Sequence, residues 1–122
     1  MAPLKPGISV QYTETATIIT FMKEKILEEK EIQSLQDTIM PVIEQSEQVH
    51  FILDFSNFQF LSSAVLGLLL RVSKKIYEKN STLRMCNINP KIYEIFKITR
   101  LNKIFDIYDD LDSAMESLSA PE

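Results

Sequence analysis

The sequence is poor in the residues on which many small enzymes and extracellular scaffolds depend. Of its 122 residues one is cysteine, one is histidine and two are glycine. A lone Cys86 excludes an intramolecular disulfide and any cysteine-built metal site within one chain. It reads as a small apolar residue inside a strand, and a reducing cytosol suits it best. Two glycines cannot furnish a glycine-rich phosphate loop. His50, the single histidine, precedes an apolar strand segment, whereas the serines that could act as nucleophiles follow it. Base and nucleophile would then sit at opposite ends of that strand, and no serine is flanked by glycines as in a nucleophile elbow. No enzymatic activity is expected, and no metal or cofactor.

Positive charge is also scarce. Thirteen basic residues against seventeen acidic ones leave a net charge of −4, which argues against a partner held through its phosphate backbone. Nucleic acid is not an expected partner. The longest apolar run, AVLGLLL, is far too short to span a membrane, and prolines interrupt MAPLKPGISV where a signal peptide would be apolar. No membrane association is expected, and a cytoplasmic location follows.

What is present is material for one core. Apolar residues make up 45% of the chain and charged residues 25%, with seven Phe and four Tyr supplying bulk. The length suits a single domain. Residues 1–7, with two prolines and a glycine, read as a flexible leader, the domain proper as residues 8–118, and residues 119–122 as a tail.

From Ile8, the alternation in ISVQYTETATIITFM predicts two short strands in a hairpin that breaks near Glu14 without a glycine. In EEKEIQSLQDTIMPVIEQ, residues Ile32, Leu35, Ile39, Val42 and Ile43 share one helical face, and Pro41 is expected to kink or loosen the last turns. VHFILDF predicts a strand buried on both sides and ending in Asp54. A helix is expected over Ser63 to Lys79, with Leu66, Leu69, Leu70, Val72, Ser73 and Ile76 on or near the inward side and basic residues gathered in the last turns. STLRMCNI reads as a strand, PKIYEIFKITR as a helix opened by Asn89 and Pro90, IFDIY as a short strand, and LDSAMESL as a last helix begun by Asp109 or Asp110. The predicted fold class is α/β: a mixed sheet of about five strands with about four helices packed mainly on one face.

The one unusual polar feature is FQFLSSAVLGLLLRVSKKI, where Ser62 and Ser63 stand between an apolar extended segment and an apolar helix. One serine can cap the helix. A cap does not require the second. A helix N-terminus also stabilises an anion, so a phosphoserine would leave the core intact while changing what the surface can bind.

The run FILDFSNFQFLSSAVLGLLLRVSKKI resembles the central signature of STAS domains, specifically bacterial anti-sigma factor antagonists. There a strand ending in Asp is followed by an apolar or aromatic pair, a phosphorylatable serine turn and an apolar helix. LRMCNINPKIYEIFKITRLNKIFDIYDDLDSAM is similar to the C-terminal half of that family, including its TRL turn. The resemblance spans residues 8–118.

The family's turn often reads Asp-Ser-Ser/Thr-Gly-Leu-Gly. Aligned on Leu66 and Gly67, the phosphoacceptor falls on Ser63, with Ser62 as the alternative acceptor. Ser62 then occupies the Asp position, Ala64 the second hydroxyl position and Val65 the first Gly position. The resemblance implies partner switching. The unphosphorylated form would bind an anti-sigma factor that is also a serine kinase of the histidine-kinase-like ATPase fold, phosphorylation of Ser63 would break the complex, and a phosphatase would reset it.

Asp54, Phe58, Phe60, Ser62, Ser63, Ala64 and Gly67 would form the partner-binding surface. Asp54 could equally be a strand end that accepts backbone hydrogen bonds. Of Phe58 and Phe60, one is expected to pack inward and the other to offer an exposed anchor. Arg71, Lys74, Lys75, Lys79 and Arg84 read more readily as a solvated face than as a binding patch. The alternative function is a STAS interaction or scaffold module that needs no phosphorylation.

Overall fold

A computed structural model describes residues 4–5 and 7–119, with the side chains of residues 4, 5 and 119 left aside. Six strands lie in the sheet in chain order: β1 (Leu4–Lys5), β2 (Ile8–Tyr12), β3 (Ala16–Phe21), β4 (His50–Asp54), β5 (Thr82–Cys86) and β6 (Asp106–Tyr108). β1, β2 and β3 pair antiparallel; β3 to β6 pair parallel. Within the expected leader, Leu4 and Lys5 pair with Ser9 and Ile8. An edge strand such as β2 offers unpaired backbone groups, and the neighbouring chain takes them up. The remainder of the expected leader and the end of the expected tail lie outside the described residues.

The hairpin between β2 and β3 closes without glycine because Thr13 supplies the turn chemistry. Its hydroxyl donates to the Ala16 carbonyl at 3.0 Å and accepts from the amides of Thr15 and Ala16 at 3.2 and 2.9 Å.

Three helices join the parallel strands: α1 (Glu29–Gln45), α2 (Ser63–Glu78) and α3 (Pro90–Ile98). Each new strand adds on the same side of its predecessor. Right-handed crossovers therefore put all three helices on one face. The face each strand residue serves follows the two-residue period. Phe51 and Leu53 of β4 and Leu83 and Met85 of β5 belong to the large core under these helices, while Ala16, Ile18, Ile52 and Cys86 point the other way. That second face is covered by α4 (Leu111–Ser119), whose Ala114 is fully buried against them.

Helix α1 runs unbroken past Pro41, in contrast to the expected loosening, and Val42 and Ile43 beyond the proline are buried and hold its end to the core. Helix α2 buries Leu69, Val72, Ser73 and Ile76 as expected, and Leu66 packs partly buried against the core. Val65 and Leu68 join them on the buried face, whereas Leu70, expected on or near the inward side, is 42% exposed. Its first two turns are apolar almost all round, so periodicity alone does not choose the inward side. The helix ends in a Schellman turn: Asn80 takes the left-handed conformation, Ser81 donates to the Ile76 carbonyl at 3.1 Å and Asn80 to that of Tyr77 at 3.0 Å.

Candidate functional site

The serine turn sits beyond the C-terminal ends of the parallel strands, where a loop leaves β4 and enters α2. Such strand ends are where open α/β sheets habitually place their sites. The loop is built from below by aromatics. Phe55 and Phe58 stack with Phe21 of β3, with ring centroids 5.0 Å (Phe21–Phe55), 5.8 Å (Phe21–Phe58) and 6.1 Å (Phe55–Phe58) apart. From the side it is tied to both neighbouring loops. The amides of Gln59 and Phe60 donate to the Glu24 carbonyl at 2.7 and 3.2 Å, Asn57 Nδ2 donates to the Phe21 carbonyl at 3.2 Å, and Asn89 Nδ2 to the Phe58 carbonyl at 3.2 Å.

Asp54 serves this framework. It is 8% exposed, and its Oδ1 accepts from the Ser56 amide at 2.9 Å and from Asn87 Nδ2 at 3.0 Å. The carboxylate thus turns the chain at the strand end and joins it to the loop after β5. Asn87 and Asn89 are the contributors that sequence reasoning missed. Asn87 sits in the left-handed region, with φ 59°, a conformation asparagine tolerates better than most residues. The Asn89-Pro90 pair signalled a helix start, and that start is confirmed: Asn89 Oδ1 accepts the Ile92 amide at 2.9 Å. Its second role, holding Phe58, depends on a contact across 31 residues.

The two serines divide their tasks. Ser62 is the N-cap of α2, its Oγ accepting the Val65 amide at 3.2 Å. Ser63 is the first helical residue; it is exposed, and its hydroxyl makes no hydrogen bond among the described residues. The amides of Ser63 and Ala64 have no intrahelical partner, as at every helix start. Around Ser63 lie exposed Ala64, partly exposed Gly67 one turn on, and Phe60, which is half exposed. A side-chain carbon at Gly67 would stand 3.4 Å from Arg71 Nη1 and would thicken this otherwise flat stretch of helix. Phe58 must be corrected as a partner-contacting residue. It is 1% exposed, because its ring completes the aromatic support, so it can only position the turn.

The remaining candidates are dispersed. His50 lies at the opposite end of β4, its Nδ1 2.6 Å from Thr82 Oγ1. Burial pushes the Cys86 thiol up to about 12, with the Asp54 and Asp110 charges adding to it, so this sulfur stays protonated. The basic residues form no patch. Arg71 donates to Gln36 Oε1 at 2.8 Å, Lys75 pairs with Glu44 at 3.0 Å, and Lys79 donates to the Ile43 and Ser46 carbonyls, capping α1. Arg84 is on the α4 side of the sheet, 3.1 Å from Ser117 Oγ. Among the described residues no cluster of histidine, cysteine or carboxylates could hold a metal ion. No helix there is long and apolar enough to cross a membrane.

The chain and its fold have known counterparts. The chain is 32% identical over 76 residues to an anti-sigma F factor antagonist from Paenibacillus polymyxa, a match covering 62% of this chain and 65% of that relative. The chain thus spans slightly under two thirds of that relative's length. Its fold superposes with a TM-score of 0.82 on an anti-sigma-factor antagonist STAS domain protein from Planctomyces limnophilus, at 21% identity, covering 93% of this chain and 98% of the other. The phosphorylated form of the Bacillus cell fate determinant SpoIIAA matches with a TM-score of 0.66 at 16% identity, covering 90% of this chain and 97% of the other. The family model for the STAS domain matches residues 8–114. This chain belongs to the STAS domain family.

Proposed function

We propose that the protein is an anti-sigma factor antagonist that works by partner switching, with Ser63 as the phosphoacceptor. The observation that carries this reading is the division of labour at the start of α2. Ser62 already satisfies the helix cap, so the exposed Ser63 hydroxyl has no structural duty. Modification there would not cost the fold a hydrogen bond.

Transfer to Ser63 forms a bond from its Oγ to the γ-phosphorus of ATP and breaks the bond to the β-phosphate oxygen. The hydroxyl proton leaves to a base on the kinase and ADP departs. All of that machinery belongs to the partner, a kinase of the histidine-kinase-like ATPase fold that is also the anti-sigma factor. The product phosphate, carrying about −1.5 to −2 charges, would sit at a helix N-terminus, where free amides and the helix dipole favour an anion. The helix tolerates it; the complex does not. A surface of Phe60, Ala64 and Gly67 that fits against the partner's nucleotide site would now press a doubly charged group against another phosphate. A phosphatase would restore the binding form.

The test is peptide mass spectrometry of the protein from its native cells, joined to capture of partners by Ser63→Ala and Ser63→Asp variants. The expected result is phosphate on Ser63 and an ATPase-fold partner retained by the alanine form and lost by the aspartate form. Absence of phosphate in every growth condition, with identical partners for both variants, would remove the switch.

A further inference from the structure

The end of α3 and the turn after it carry an exposed surface that the serine site does not use. Ile98, in the last turn of α3, is 79% exposed, and Ile104 is 54% exposed. Arg100, exposed and held in the left-handed region at φ 64°, and exposed Lys103 flank them, and neither has an ion-pair partner among the described residues. In a chain of net charge −4, residues 91–104 hold four basic side chains and one acidic one. The next stretch, residues 106–119, holds five acidic side chains and no basic one. The C-terminal half is therefore divided into a cationic, apolar portion and an anionic portion.

Ile98 and the cavity lie toward opposite ends of α3. Helix α3 leaves the C-terminal end of β5 and returns to the N-terminal end of the parallel strand β6, so Ile98 and Arg100 lie at the end where β6 begins. At the other end is a cavity of about 280 Å³, lined by Ile88, Pro90, Tyr93, Ile107, Tyr108 and Asp109. Its walls combine the apolar surface of Ile88, Pro90 and Ile107 and the tyrosine rings with a nearly equal share of polar surface, with exposed Asp109 among them and exposed Asp110 next in the chain. It has the size and character to accept one aliphatic side chain with cations beside it.

We propose that this cavity receives Ile98 of a second copy of the chain, with Arg100 and Lys103 of that copy facing Asp109 and Asp110. Knob and cavity lie toward the two ends of α3, and the proposed contact joins them head-to-tail, which leaves a free knob on one copy and a free cavity on the other. Copies add without closing unless the rotation between them happens to make a ring. The charged rim is exposed to solvent and hence sensitive to salt.

The experiment is analytical ultracentrifugation of the full chain over a concentration series reaching the millimolar range, at low and high salt. The expected result is a weight-average mass that climbs beyond twice the monomer value at low salt and falls back at high salt. Two variants of exposed residues separate the halves of the contact: Ile98→Asp removes the knob and Asp109→Arg spoils the cavity. Each alone should be monomeric. Mixed in equal amounts they should form a dimer and nothing larger, since one supplies the intact knob and the other the intact cavity; formation of that dimer also shows that both variants fold. A wild-type chain that stays monomeric throughout, or a mixture of the variants that does, overturns the proposal.

Discussion

Two helices begin side by side at the C-terminal end of the sheet, and they begin differently. At α3, Asn89 caps the helix and also holds the Phe58 carbonyl, and the next residue is Pro90, which has neither a hydroxyl nor an amide hydrogen to offer. At α2, Ser62 caps the helix and the next residue is the exposed Ser63. One start is closed, with its capping side chain committed at both ends and no hydroxyl beyond it. The other is capped equally well and yet keeps one nucleophilic oxygen in reserve. A site that must be modified without unfolding is best placed where structural and chemical duties fall on different residues, and α2 meets that condition.

The comparison is most severely tested beneath the turn. Phe58→Ala should destabilise the protein by about 3–5 kcal/mol, since a fully buried aromatic ring leaves a cavity in the support of the loop. Phe60→Ala, two residues on and half exposed, should stay within about 0.5 kcal/mol of wild type in denaturant unfolding while weakening capture of the partner. Equal losses of stability for the two would mean that the loop is not organised from Phe58.

Asn89→Ala should cost about 1–3 kcal/mol, because it removes the cap of α3 and leaves the Phe58 carbonyl without its partner. Amide hydrogen exchange should then rise in both the α2 and the α3 starts, which links the closed one to the open one. Ser62→Ala should cost about 1 kcal/mol through loss of the cap alone. Ser63→Ala should change stability by less than about 0.5 kcal/mol. Reversal of that order in urea titrations would assign the cap to Ser63 and remove the argument for a spare hydroxyl.

A last prediction contrasts two nucleophilic side chains, Ser63 in the open and Cys86 in the core. Burial raises the folded-state pKa of the Cys86 thiol from 9.0 to about 12. The folded protein therefore holds this proton more tightly than the unfolded chain. The associated stability is fully present below pH 9 and is lost as pH rises from there through about 12. Urea midpoints should fall over that range, and less so for Cys86→Ala. At neutral pH the thiol should resist alkylation in the folded protein.

Much of the fold was legible because its signals are local. The strand ending in Asp54, the inward residues of α1, the Asn89-Pro90 helix start and the alternation of strand and helix each depend on neighbours a few residues apart. Leu70 departs from the inward side expected of it because an apolar run such as AVLGLLL does not distinguish its faces. Phe58 and Phe60 were equivalent as letters. Only the position of the Phe21 ring, brought in from β3, decides which of them is buried.

The sequence alone sets the fold class, α/β, and the location of two adjacent serines where an apolar strand segment gives way to an apolar helix. Tertiary structure alone decided which serine caps and which is exposed, and that Asp54 and Asn87 brace the turn. It also set the knob and the cavity of the α3 region at opposite ends. The physical reason is range. Propensity and periodicity act within a few residues, whereas exposure and hydrogen-bond partnership at the turn depend on strands and loops that are distant in the chain and become neighbours when the parallel sheet forms.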